Sequence, residues 1–183
     1  MNAIDILVKE HDSILRMIEV TQRILNSKDK TNINLNHVEM IVDFVKKFAD
    51  KYHHLKEEDV LFVEMEKCGV ARNGGPIGVM MSEHDQGRAY IKLVEEGIAQ
   101  LKKGEYSAFN QIKDNLLSYC NLLTNHINKE NNVLYPMALR ALSPEIIEVM
   151  TVDFKDANLS TPSDEYHGKY LKMVDELSSI YLK

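Results

Sequence analysis

The sequence predicts an all-α chain, an antiparallel four-helix bundle with a C-terminal helical extension. Three observations lead there. Apolar residues recur at helical spacing almost throughout, and no segment alternates as a strand does. The long periodic segments are joined by short polar or glycine-containing breaks, which favours antiparallel neighbours. A short residue pattern also occurs twice, 73 residues apart, so the bundle reads as two equivalent helix pairs.

A first helix is expected from about Ala3 to Asn26, on the stripe Ile4, Leu7, Val8, His11, Ile14, Leu15 and Ile18. The polar run Ser27 to Asn32 reads as a loop, after which Asn34 or Asn36 caps a second helix reaching Lys67. Gly69 closes that helix, and Ala71-Arg72-Asn73-Gly74-Gly75-Pro76 makes the turn. A third helix is expected from about Ile77 to Lys103, with Met80, His84, Gly87, Ile91, Val94 and Ile98 on one face, ended by Gly104. The fourth should run from about Ser107 to Leu142 on Leu116, Tyr119, Leu123, His126, Glu130, Val133 and Met137, with Pro136 kinking it late or ending it early. Two shorter helices follow, Pro144 to Asn158 and Pro162 to Tyr181, each with serine or threonine before a first-turn proline. Residues 1–142 are thus expected to form the bundle. Residues 143–183 form an extension packed on it or on a second subunit, as in a homodimer.

The repeat is built from metal-ligand residues. Glu10-His11-Asp12 recurs as Glu83-His84-Asp85, and His53-x-x-Lys56-Glu57-x-x-Val60-Leu61 recurs as His126-x-x-Lys129-Glu130-x-x-Val133-Leu134. Side chains four apart on a helix share a face, so His53 with Glu57, and His126 with Glu130, can point at one place. His11 and His84 face inward by their own stripes. Four imidazoles and two carboxylates in an apolar core are costly unless paired, and two cations resolve that cost. Mixed imidazole and carboxylate ligation suits iron first, then zinc or manganese. Ferritin-like carboxylate proteins use Glu-x-x-His with glutamates in the majority, whereas this chain has the reverse order and a histidine majority. His54 and Glu58 also stand four apart. Their counterparts are Ile127 and Asn131, so the repeat favours the frame of His53 and Glu57 and leaves Glu58 as an acceptor for an imidazole N–H.

With these motifs the chain resembles the HHE cation-binding family, the hemerythrin-like domains, over roughly residues 5–140. Each His-x-x-x-Glu is followed by a Leu-aromatic pair, Leu61-Phe62 and Leu134-Tyr135. The resemblance implies a four-helix bundle around a non-haem di-iron centre: two iron ions, ferrous or ferric, with an oxo or hydroxo bridge. His11, His53, His84 and His126 would be terminal ligands, and Glu57 and Glu130 bridging carboxylates. Oxygen-carrying hemerythrins have a further histidine four residues after the one on the third helix, where this chain has Arg88. That departure weakens the oxygen-carrier reading and leaves a more open coordination position, as metal-centred chemistry requires. Family members that repair iron centres carry an added N-terminal segment with cysteines, while the first helix here is expected almost at Met1.

The remaining features bound the function. A net charge of −6, and no basic cluster interleaved with aromatics, argue against a nucleic-acid partner. The N-terminus lacks the pattern of a signal peptide, and no apolar stretch is long enough to span a bilayer. Cys68 and Cys120 fit no metal or redox spacing, so a reduced cytoplasmic setting is expected. Lys56 and Lys129 are read as surface i,i+4 pairs, His37 as exposed near a helix start, and His167 as a surface or interface histidine within reach of the site. Tyr52, Tyr119 and Cys120 are read as ordinary core residues. The leading expectation is a di-iron protein that binds or reacts with dioxygen, peroxide or nitric oxide in stress or iron handling, with catalase-like turnover as its enzymatic version. The alternatives are a non-catalytic sensor or iron store, and a structural zinc bundle.

Overall fold

The structure is a computed structural model that describes residues 1–27, 33–156 and 164–183. Six helices and no strand occur among the described residues. Helix α1 spans Ala3–Leu25. It starts where it does because Asn2 and Asp5 cap reciprocally, each side chain accepting from the other's backbone N–H at 2.9 and 3.0 Å. Its buried stripe is Ala3, Ile4, Leu7, His11, Ile14 and Ile18, with Glu10 and Met17 beside it. Val8 and Leu15, expected in that stripe, are instead exposed by 39% and 36%. Each stands one residue past a buried position, so about 100° of rotation carries it to the rim.

Helix α2 covers 35–67 without a break, Asn34 accepting from the backbone N–H of Asn36 at 3.0 Å. After its α-helical start, Leu35–Phe44, it is wound as a π-helix over Val45–His54 and again over Glu57–Leu61, before a last α turn, Phe62–Lys67. Gly69 then takes a φ of +90°, which an L side chain would resist. Helix α3 is Pro76–Lys102, with the proline at its first turn, where a missing N–H costs nothing. Helix α4 covers 108–141 and holds one π turn, Glu130–Leu134. It continues through Pro136 to Ala141, so the proline does not end it. Helices α5, Pro144–Asp156, and α6, Asp164–Tyr181, complete the chain. The loop expected over Ser27 to Asn32 lies mostly outside the described residues. So do the expected end of α5 at Asn158 and the Thr161-Pro162 start of α6.

The two π turns occupy the same place in both repeats. Phe62 N–H reaches back five residues to Glu57 C=O, and Tyr135 N–H does the same to Glu130 C=O. The added residue in the second turn moves Val133 to the surface, 52% exposed, and buries Leu134 instead. That corrects the expected placement of Val133.

Helices α3 and α4 pack along each other, while α1 packs on α4, α5 and α6, and α2 contacts α1, α3, α5 and α6. Two apolar clusters result. One joins the starts of α1 and α3 to the ends of α2 and α4, together with Met150 and Phe154 of α5. The other holds the opposite ends of those four helices with Tyr170, Val174 and Leu177 of α6. On every bundle helix the histidines and glutamates of the repeat fall between the two clusters.

Candidate metal centre

His11, His53, Glu57, His84, His126 and Glu130 all lie in this band, each at most 2% exposed. The structure brings them together from α1, α2, α3 and α4. Their donor atoms form two groups, within each of which all lie inside 4.8 Å of one another. The first is His11, His53, Glu57 and Glu130, and the second is His54, Glu57, His84 and His126. Glu57 belongs to both, and Glu130 of the first group also reaches the second, with Oε2 3.2 Å from Nε2 of His11 and Oε1 3.0 Å from Nε2 of His126. Oε2 of Glu57 lies 3.7 Å from His53 Nε2 and 3.5 Å from His84 Nε2. The Nε2 atoms of His84 and His126 approach to 3.0 Å, so the two rings face one point.

Four of the inward atoms have no hydrogen-bond partner among the described residues: His53 Nε2, Glu57 Oε2 and both carboxylate oxygens of Glu130. Orphaned acceptors at this depth cost free energy unless something positive lies between them. A pair of cations fits that donor set. Burial and the neighbouring Glu130 push the Glu57 carboxyl well above its ordinary range. Burial acts the same way on Glu130, but His126 and His11 outweigh it and hold that carboxyl well below. His53 and His54 are depressed by burial and by nearby imidazoles, so they stand neutral, the form that ligates. Burial also opposes charge on His126, yet Glu130 and Glu83 carry it up to about 9.

The outer ring nitrogens are held in a pattern that follows the repeat. His53 Nδ1 lies 2.9 Å from Glu10, and His126 Nδ1 lies 2.9 Å from Glu83. Each of these glutamates immediately precedes the lone histidine of its copy. His84 Nδ1 is 2.6 Å from Glu58, and His11 Nδ1 is 2.9 Å from Asn131, which are again counterparts. With Nδ1–H donating outward, each Nε2 lone pair is fixed toward the interior.

The family model for the hemerythrin HHE cation-binding domain matches residues 2–138. The chain belongs to this family. Among curated proteins it is similar to iron-sulfur cluster repair proteins named YtfE from Salmonella paratyphi B and Salmonella newport. Each is 35% identical over 97 residues, covering 48% of this chain and 40% of the relative. The chain therefore matches less than half the length of those relatives. No solved structure matches it.

Several placements in this HHE domain correct the sequence reading. Lys56 is not a surface residue: it is 2% exposed, its ammonium donates to Glu10 at 2.5 Å, and it sits 3.4 Å over the Tyr52 ring. Its reach is across to α1, which i,i+4 reasoning within one helix does not see. Lys129 likewise donates to Glu83 on α3. His37 is half-buried, with Nδ1 2.6 Å from the Tyr181 hydroxyl, and so ties α2 to the end of α6. His167 stacks on Phe48 and Tyr52 and belongs to neither donor group. Cys120 is buried, and burial pushes its thiol up to about 12. Arg88, where a further histidine was sought, donates to Asp50, Asp85 and Glu58.

Two residues of the centre were missed. His54 stacks on His84 with centroids 3.8 Å apart. Its Nε2 has no partner among the described residues, and Nδ1 comes only within 3.5 Å of Asp50, too long for a good hydrogen bond. Its repeat counterpart Ile127 is also buried, so the position faces inward in both copies. Tyr135 donates to Glu57 Oε1 at 2.7 Å while its ring stacks on His11 at 5.5 Å, and Phe62 stacks on His84 in the equivalent way at 6.1 Å. The Leu-aromatic pair after each motif was the available signal for Tyr135.

Proposed function

We propose that the chain holds two irons, one ligated by His11 and His53 and the other by His54, His84 and His126, with Glu57 and Glu130 between them. The observation that carries this reading is the convergence of buried imidazole and carboxylate donor atoms from four helices on two adjacent groups, those of His53, His54, Glu57 and Glu130 including atoms with no partner among the described residues. Such a centre supplies redox-active cations with room for an outside ligand. The protein binds or reacts with dioxygen, peroxide or nitric oxide in the cytoplasm, and serves iron-centre maintenance under oxidative or nitrosative stress. The named role of the Salmonella relatives in iron-sulfur cluster repair supports that assignment over oxygen transport. The chain's own residues fix the imidazoles, exclude water and hold the Tyr135 proton against Glu57 Oε1.

The test is metal content per chain by mass spectrometry on anaerobically purified protein, with the visible spectrum taken before and after air. Two irons and an air-dependent absorption change are expected. Stoichiometric zinc with a flat spectrum rejects the redox reading. Sustained gas evolution on adding peroxide then marks turnover, whereas a single bleaching event marks a sensor or reservoir.

A further inference from the structure

The two glutamates of the repeat are held differently. Oε1 of Glu57 accepts from the Tyr135 hydroxyl at 2.7 Å, while Oε2 of the same carboxylate has no hydrogen-bond partner among the described residues. That Oε2 is the oxygen that approaches both donor groups, 3.7 Å from His53 Nε2 and 3.5 Å from His84 Nε2. Glu130 divides the task instead, with Oε2 3.2 Å from His11 Nε2 and Oε1 3.0 Å from His126 Nε2. The difference traces to one pair of counterparts, Phe62 and Tyr135, which stand 73 residues apart. Each ring stacks on the lone histidine of the other copy, Tyr135 on His11 and Phe62 on His84. Only Tyr135 carries a hydroxyl. That oxygen also lies 3.4 Å from His11 Nε2, so it stands at the first donor group itself.

We propose that Tyr135 is a positioning residue that makes the two carboxylates unequal: Glu57 reaches both metals through Oε2 alone, whereas Glu130 reaches one metal with each oxygen. The inference rests on the two-metal reading above. A ligating carboxylate is ionised, and a phenol that donates to an ionised oxygen makes one of the stronger hydrogen bonds. Turning Glu57 so that Oε1 met a metal would strand the Tyr135 hydroxyl in the core, and a buried donor left unsatisfied is costly. No such anchor acts on Glu130, because Phe62 has no donor to offer. One shared atom also holds two metals closer than a span of both carboxylate oxygens does. A single hydroxyl would thus set the spacing at the centre.

Crystals of the full chain loaded with zinc test this without reference to redox state. Metal content comes first: two ions per chain are expected, and a chain that holds none overturns the two-metal reading and this proposal with it. In the unaltered chain Oε2 of Glu57 should stand about 2.0–2.2 Å from both ions, with Oε1 still on the Tyr135 hydroxyl. Two ions with one Glu57 oxygen on each would overturn the proposal and leave the two-metal reading standing. Tyr135→Phe keeps the ring against His11 and removes only the donor. In that variant Glu57 should turn to offer one oxygen to each ion, and the metal–metal separation should lengthen. Infrared spectra of the protein carrying isotope-labelled glutamate carboxylates, loaded minus metal-free, give a second readout in solution. The gap between the antisymmetric and symmetric stretches should narrow in Tyr135→Phe, because a carboxylate with both oxygens on metals is the more symmetric. A hydroxyl with a purely structural role would lower thermal stability when removed and leave both that gap and the Glu57 contacts unchanged. That result would overturn the proposal.

Discussion

Nδ1 of His53 stands 2.9 Å from Oε2 of Glu10, the residue that precedes His11. The same relationship joins His126 to Glu83 in the second copy, also at 2.9 Å. A lysine completes each set, Lys56 on Glu10 and Lys129 on Glu83. The repeat thus encodes the carboxylates that orient two of the imidazoles as well as the donor atoms themselves. The copies differ in burial: the side chains of Lys56 and Glu10 are 3% and 5% exposed, whereas those of Lys129 and Glu83 are 40% and 16%.

That difference predicts unequal costs. Burial raises the Glu10 carboxyl and lowers the Lys56 ammonium from their ordinary values, and each partner offsets the other's penalty. Lys56→Ala leaves a buried carboxylate without its cation and should cost about 3–5 kcal/mol. Lys129→Ala breaks a pair open to solvent and should cost about 1 kcal/mol or less. Urea unfolding of the metal-free protein measures both, and equal losses would contradict the burial argument. On the proposed ligand set, Glu10→Gln and Glu83→Gln should each weaken metal binding about 10–100-fold, because each orients one of its imidazoles.

His54 makes a prediction of opposite signs. Nε2 of this ring is buried without a partner among the described residues, and the counterpart position is filled by Ile127. His54→Leu should therefore leave metal-free stability unchanged or raise it. The same substitution removes one of three imidazoles from the second group, so on the proposed two-iron reading the content should fall from two per chain toward one. Calorimetry on the metal-free form and metal analysis on the loaded form decide it. A destabilised variant that keeps two irons would show His54 to be a packing residue.

How these features were hidden follows from the rules that read the rest. Periodicity of 3.6 located the six helices, and the 73-residue repeat picked out the six residues that the structure brings together. Comparing copies, however, asks what both share, and so it discards His54, whose counterpart is an isoleucine. Pairing rules along one helix assigned Lys56 and Lys129 to their own surfaces, although their carboxylates are 46 residues away in sequence. The π turns leave no mark in composition. They arise from one added residue per turn, visible only once the hydrogen bonds of Phe62 and Tyr135 are traced.

Glu57 and Glu130 are expected to be shared by the two metals, since each lies near histidines of both groups. Glu57→Ala and Glu130→Ala should each lose about one metal or more per chain. Retention of full occupancy in both, measured by mass spectrometry, would reject the bridging role.

Metal binding should also release protons. In the metal-free chain burial disfavours charge on His126, but Glu130 and Glu83 outweigh it and hold its pKa up at about 9. Below that pH the ring keeps a proton that a metal must displace, because only neutral imidazole ligates. Apparent affinity should therefore rise with pH and level off near 9. The raised Glu57 carboxyl acts in the same direction. The same His126 shift stabilises the metal-free fold below the ordinary histidine value, and that contribution is lost as pH climbs through about 9. Loaded protein should not show the loss, because the metal replaces the proton. Zinc titration calorimetry at pH 7.5, in two buffers of different ionisation enthalpy, counts the protons directly. At least one per chain is expected. A buffer-independent enthalpy would mean that His126 is already neutral in the metal-free state, and that Glu83 and Glu130 do not hold its proton.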